Sequence, residues 1–137
     1  MEALLDETVF GELYEALAAG PDGAAEVAAY VEIFLDSTGA AVGDLAPALA
    51  AGDAAALRRL LHQVRGTTAT MGASRVAHRC AEVEAALADR VPPAHLAGPL
   101  AALRDDFAAT AAALHARLGG LVRTGAANPP GKEVSRL

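Results

Sequence analysis

Leu57-Arg58-Arg59-Leu60-Leu61-His62-Gln63-Val64-Arg65-Gly66-Thr67-Thr68-Ala69-Thr70-Met71-Gly72 is the stretch from which the fold can be read. Leu57, Leu60, Leu61, Val64, Thr68 and Met71 recur at the three- and four-residue spacing of an α-helix and form one stripe that must face a core. Arg58, Arg59, His62, Arg65, Gly66 and Ala69 fall on the opposite, exposed side. A histidine therefore sits in a small basic patch on a chain whose formal net charge is −6. Gly66 is the odd member, because glycine inside a helix costs about 1 kcal/mol relative to alanine. Its expected use is steric, leaving space beside the imidazole. Gly72 is placed to stop the helix in a left-handed conformation.

Working outward, Gly52-Asp53 makes a turn and caps this helix. A first helix is expected from Asp6 as N-cap, with Val9, Phe10, Leu13, Tyr14 and Leu17 on one side, ending at Gly20-Pro21-Asp22-Gly23. A second runs from about Ala24 towards Ala50 with Val27, Tyr30, Val31, Phe34, Leu35, Val42, Leu45 and Leu49 as its stripe. Pro47 cannot donate to the Gly43 carbonyl, so a kink or break is expected there. The fourth helix, from about Ser74 to Ala88, turns Val76, Ala77, Cys80, Val83 and Leu87 inward and carries Glu84 at the margin of that face. Pro92-Pro93 breaks the chain, and a fifth helix from about Pro99 to Leu118 directs Leu100, Leu103, Phe107, Leu114 and Leu118 inward until Gly119-Gly120 stops it. The expected fold is all-α, an antiparallel four-helix bundle with an additional short N-terminal helix. Residues 1–120 form the bundle domain, and 121–137 are read as a flexible C-terminal tail.

Composition agrees. Of the 137 residues, 53% are hydrophobic but only 4% aromatic, so the core must be built from Ala, Leu and Val, which favours close helix packing over strands. The acidic balance argues against nucleic acid or an anionic membrane as partner. No apolar run reaches the length of a membrane span and the N-terminus lacks a signal-peptide pattern, so a cytoplasmic protein is expected. One cysteine excludes an internal disulfide and a thiolate-rich metal site. The four histidines supply no His-x-x-x-His or Glu-x-x-His pair, so no metal site is expected. No Gly-Lys-Ser/Thr phosphate cradle occurs, so the chain should bind no ATP and no cofactor of its own. His78, His95 and His115 are read as structural or solvent residues, the last near a helix C-terminus.

His62 is a different case. An imidazole of ordinary pKa, about 6.5, is largely neutral and nucleophilic at physiological pH. A phosphoryl group on it would carry roughly two negative charges, which a guanidinium one turn away would stabilise through charge-assisted hydrogen bonds. Arg65 suits that role and also disfavours imidazolium.

With His62, Val64, Arg65, Gly66, Gly72-Ala73, Cys80 and Glu84 in place, the stretch from Leu57 to Leu87 resembles the signature of the histidine-containing phosphotransfer (HPt) domain of multistep phosphorelays. The family pattern runs His-x-hydrophobic-Lys-Gly, then a Gly-small turn, then Cys and a Glu-type position on the next helix. Arg65 departs from the commoner lysine but keeps the charge. The resemblance implies His62 as phospho-acceptor, Arg65 as the basic neighbour, Gly66 as the access residue and a polar contact to His62 from the fourth helix. Glu84 is the candidate for that contact, fixing the imidazole tautomer. Arg58, Arg59 and Ala69 are candidate partner-contacting residues. The implied partners are response-regulator receiver domains or a sensor histidine kinase, with Mg2+ held by the receiver and not by this chain. The carrier is not an enzyme, and monomer is the default because one chain completes a core. Two other readings use the same surface: a non-catalytic adaptor that binds a receiver or kinase, and a detached phosphotransfer domain of a chemotaxis-type kinase.

Overall fold

The computed structural model describes residues 3–127, the last seven by backbone alone. Five helices account for it: α1 (Glu7–Ala18), α2 (Gly23–Ala50), α3 (Ala54–Met71), α4 (Ser74–Ala88) and α5 (Ala97–Ala127), with one 3-10 turn at Pro93–Leu96 leading into α5. There is no strand among the described residues. Helices α2 to α5 close a ring, with α2 and α4 each packed between α3 and α5, while α1 lies against α2 and α3. Short turns between α2 and α3 and between α3 and α4 force successive helices to run antiparallel.

Helix lengths explain the extra element. At 1.5 Å per residue α2 and α5 span about 42 and 46 Å, whereas α3 and α4 reach only about 27 and 22 Å. The two long helices therefore overhang their neighbours. The core divides accordingly: Val42, Leu45, Leu57, Leu61, Val64, Val76, Cys80, Val83 and Leu103 fill one end, and Val27, Val31, Phe34, Met71, Leu114 and Leu118 form a second cluster that α1 closes with Phe10. Burying a phenylalanine contributes about 1.5–3 kcal/mol. Arg117 adds a cation–π contact 4.8 Å from the Phe10 ring centre and an ion pair to Glu7 at 2.5 Å.

Turn chemistry sets the register of the bundle. Gly72, at φ +81°, ends α3 in the left-handed region. The N–H of Ala73 donates to the Thr68 carbonyl at 2.8 Å and that of Gly72 to Ala69 at 3.3 Å, the paired bonds of a Schellman motif. The Gly72 carbonyl in turn accepts from the Asp6 N–H at 2.6 Å, so the start of α1 is pinned to the α3–α4 turn. A Cβ on Gly72 would lie 3.1 Å from the Asp6 carbonyl oxygen and 3.2 Å from the Phe10 nitrogen. Asp6 itself caps α1 through Oδ1, accepting from Thr8 and Val9 at 3.0 and 3.2 Å.

Two sequence expectations need correction, and one helix end was not foreseen. Of the kink or break expected at Pro47, the break is absent: helix α2 continues past it to Ala50. Pro47 and Gly43 are both exposed and only one turn remains, so the single freed carbonyl can be hydrated. Helix α5 does not stop at Gly119-Gly120 but runs on to Ala127, because glycine weakens a helix without forbidding it. The segment read as a tail therefore starts as helix, and the rest of that expectation concerns 128–137, outside the described residues. Finally, α4 ends in a Schellman motif with Arg90, not glycine, at φ 63°.

Gly72 and Gly52 are both left-handed, yet a Cβ at Gly52 meets nothing within 4 Å. Gly52→Ala should cost about 1 kcal/mol from backbone conformation alone, and Gly72→Ala at least about 1 kcal/mol more, from displacing α1. Urea unfolding midpoints of the two variants test this. Equal costs would mean that α1 does not depend on the close approach.

Candidate functional site: an exposed histidine between a cation and a gap

Asp53 starts α3, its Oδ1 accepting from the Ala56 N–H at 3.0 Å. Leu57, Leu60, Leu61, Val64, Thr68 and Met71 are all buried, as the periodicity predicts, and this fixes the rotation of the helix. Arg58, Arg59, His62, Arg65, Gly66 and Ala69 are in consequence exposed. At about 100° per residue, Arg65 lies roughly 60° to one side of His62 and Gly66 roughly 40° to the other. Arg65 leans to α4 and Gly66 to α2.

On the α4 side, Arg65 Nε donates to Glu84 Oε1 at 2.6 Å and Nη2 to Oε2 at 3.4 Å. The guanidinium is 45% exposed and the carboxylate 23%. Here the structure departs from the expected contact between Glu84 and the imidazole: the carboxylate is taken by Arg65, and His62 has no hydrogen-bond or ion-pair partner among the described residues. A bidentate pair between full charges outcompetes a hydrogen bond to a neutral ring. Arg58 and Arg59 likewise have no partner among the described residues.

On the α2 side, a Cβ at Gly66 would meet nothing within 4 Å. The glycine opens onto a cleft of about 250 Å³ whose α2 wall is Tyr30, Ile33, Phe34 and Ser37. Ile33 is 69% exposed, the large hydrophobic side chain most open to solvent among the described residues. Sequence reading passed over it because it lies off the core stripe of α2. A β-branched apolar residue on a polar face is the signal that was there. Beside the cleft, Thr67 Oγ1 lies 2.9 Å from Thr38 Oγ1 and ties α3 to α2.

Cys80 is fully buried one turn before Glu84 on α4. Burial, reinforced by the Glu84 charge and partly offset by Arg65, pushes its thiol up to about 12. Of the other histidines, His78 lies 3.5 Å from Glu82, and His95 is exposed on the 3-10 turn. His115 pairs with Glu32 at 3.0 Å. It stands in the middle of α5 and not near a helix end, since the helix continues to Ala127. No group of three or more His, Cys, Asp or Glu side chains among the described residues could hold a metal ion, and no helix there is long and apolar enough to cross a membrane.

The His62 imidazole is thus held out on the crest of a bundle helix, open to solvent and with one cation a turn away. The chain belongs to the Hpt domain family, whose model matches residues 29–121 and so includes His62, Arg65, Gly66 and Glu84. Its function is accordingly histidine phosphotransfer in phosphorelays, as a carrier and not as an enzyme in the usual sense. Members of the family work with receiver domains and histidine kinases. Two solved structures share the fold. One is histidine-containing phosphotransfer protein B (HptB) from Pseudomonas aeruginosa PAO1, with a TM-score of 0.71, 24% identity, and coverage of 87% of this chain and 97% of that one. The other is the HPT domain of a sensor hybrid histidine kinase from Shewanella, with a TM-score of 0.64, 22% identity, and coverage of 84% and 97%. No curated protein matches the sequence.

The raised thiol has a pH consequence with a definite sign. Below the ordinary thiol pKa of 9.0 neither state ionises. Between there and about 12 only the unfolded chain loses the proton, so stability falls as pH rises through that window. Melting temperature measured from pH 8 to 11 should decline less steeply in Cys80→Ala than in wild type. Parallel curves would show that the thiol is not held neutral by the fold.

Proposed function

We propose that this chain accepts a phosphoryl group on His62 from the aspartyl-phosphate of a response-regulator receiver domain and returns it to another receiver. In the forward step a ring nitrogen forms the P–N bond as the P–O bond to aspartate breaks, and the aspartate leaves as carboxylate. The observation that carries this reading is the exposure of His62 without a partner between Arg65 and the open side of Gly66. Arg65 is positioned to meet the phosphoryl oxygens, and Gly66 admits the donor's active site. Arg58, Arg59 and Ala69 form the rim of the contact. The receiver supplies the acidic pocket, the Mg2+ ion and most of the transition-state stabilisation. The sequence offers no glycine-rich phosphate cradle, so phosphate reaches the chain through a partner and not from ATP bound here. The carrier acts as a monomer in the cytoplasm, alongside its donors.

His62→Gln should abolish acid-labile phosphate while unfolding free energy stays within about 0.5 kcal/mol of wild type, because the ring lies outside the core. Labelling that persists in this variant, or alkali-labile phosphate on serine or threonine, would leave an adaptor role as the better reading.

Gly66→Leu separates access from stability. The new side chain enters the cleft beside α2, so melting should hold while transfer from a phosphorylated receiver falls at least about tenfold. Phosphorylation by phosphoramidate, a small donor, should fall much less. Equal losses with both donors would show that the gap at Gly66 does not serve a protein partner.

A further inference from the structure

The bidentate contact between Arg65 and Glu84 gives the carboxylate a task that family resemblance does not assign. We propose that Glu84 is a positioning residue that competes with phosphorylated His62 for Arg65 and thereby keeps the phosphoryl group easy to transfer. This inference rests on the reading of His62 as the acceptor.

Arg65 is one helical turn from His62, and its fork is already occupied, with Nε on one Glu84 oxygen at 2.6 Å and Nη2 on the other at 3.4 Å. The Nε–Nη2 edge that holds Glu84 can hold only one anion in this way, so a phosphoryl group that takes this edge displaces the carboxylate. The two partners are unequally anchored. Glu84 is 23% exposed against the body of α4, whereas Arg65 is 45% exposed and has the longer, more flexible stem, so the arginine is the group that moves. Phosphorylation places roughly two negative charges beside it and draws it away from Glu84.

That exchange has a cost. It leaves Glu84 half-buried without its cation and puts a carboxylate near a new dianion. Both effects weigh on the phosphorylated form only. They lower the equilibrium share of phosphohistidine and favour onward transfer, which suits a carrier that must release what it accepts. A lysine at this position would make a single-point contact, whereas the arginine makes the carboxylate a stronger rival.

A double-mutant cycle on the full chain tests this. Wild type, Glu84→Gln, Arg65→Ala and the double variant are incubated with phosphoramidate. In that reaction the P–N bond to the donor nitrogen breaks, a P–N bond to the ring forms, and ammonia leaves. The ratio of phosphorylated to unphosphorylated protein is read by intact mass. Glu84→Gln should raise this ratio about two- to five-fold, the range an exposed ion pair can supply, and slow loss of phosphate after donor removal by a similar factor. In the Arg65→Ala background the same substitution should have a clearly smaller effect on both, since only the repulsion between carboxylate and dianion is left. In wild type the Arg65 Nε–H resonance should shift on phosphorylation. A Glu84→Gln ratio equal to wild type, an increase just as large without Arg65, or an unmoved resonance would each overturn the competition. Absence of acid-labile phosphate on wild-type His62 would instead remove the carrier reading, and this inference with it.

Discussion

Everything at the site depends on how α3 is rotated about its own axis, and that rotation is set by burial. Six core-facing side chains from Leu57 to Met71 are all buried, on a helix that packs against α2, α4 and α1. Turning the helix by one position would bury Arg58 or Arg65 and expose leucine, at a cost of several kcal/mol. His62 needs no contact of its own to be placed. Its exposure, the lean of Arg65 towards α4 and the opening of Gly66 towards α2 all follow from residues that take no part in the chemistry.

The site is correspondingly spare. Among the described residues no side chain orients the imidazole; one guanidinium and a missing side chain flank it. Such a surface cannot lower a barrier much by itself. The cleft with Ile33 at its edge lies open beside Gly66. Arg65 is held in place before reaction by Glu84 and is within one turn of the group it would have to serve afterwards.

Where buried periodicity governs, the sequence was sufficient. The stripe of α3, the inward faces of α4 and α5, the Asp6 and Asp53 caps and the Gly72 stop all follow from short-range rules. What those rules misjudge are positions where two local preferences conflict. Pro47 and Gly119-Gly120 read as breaks, yet packing and available solvation carry both helices through. Arg90 takes a left-handed conformation that no glycine advertises. At the site the histidine, its cation and the gap were legible because they share one helix. Glu84 was located but given the wrong neighbour, since which of two α3 side chains meets a residue on α4 depends on interhelical geometry that spacing does not encode. Ile33 was missed for a related reason: its significance lies in standing opposite Gly66 and not in its own pattern.

The match to the Hpt domain begins at residue 29, inside α2, so α1 lies before it. This short helix uses Phe10, Leu13 and Tyr14 to cover the end where the two long helices outrun α3 and α4, and turns charged residues such as Glu7, Glu12 and Glu15 outward. Without it, Val27, Val31, Met71 and Leu114 would form a contiguous oily patch at one pole of the molecule. Twelve residues that lie before the matched family region thus keep an apolar pole from meeting solvent, which favours colloidal solubility.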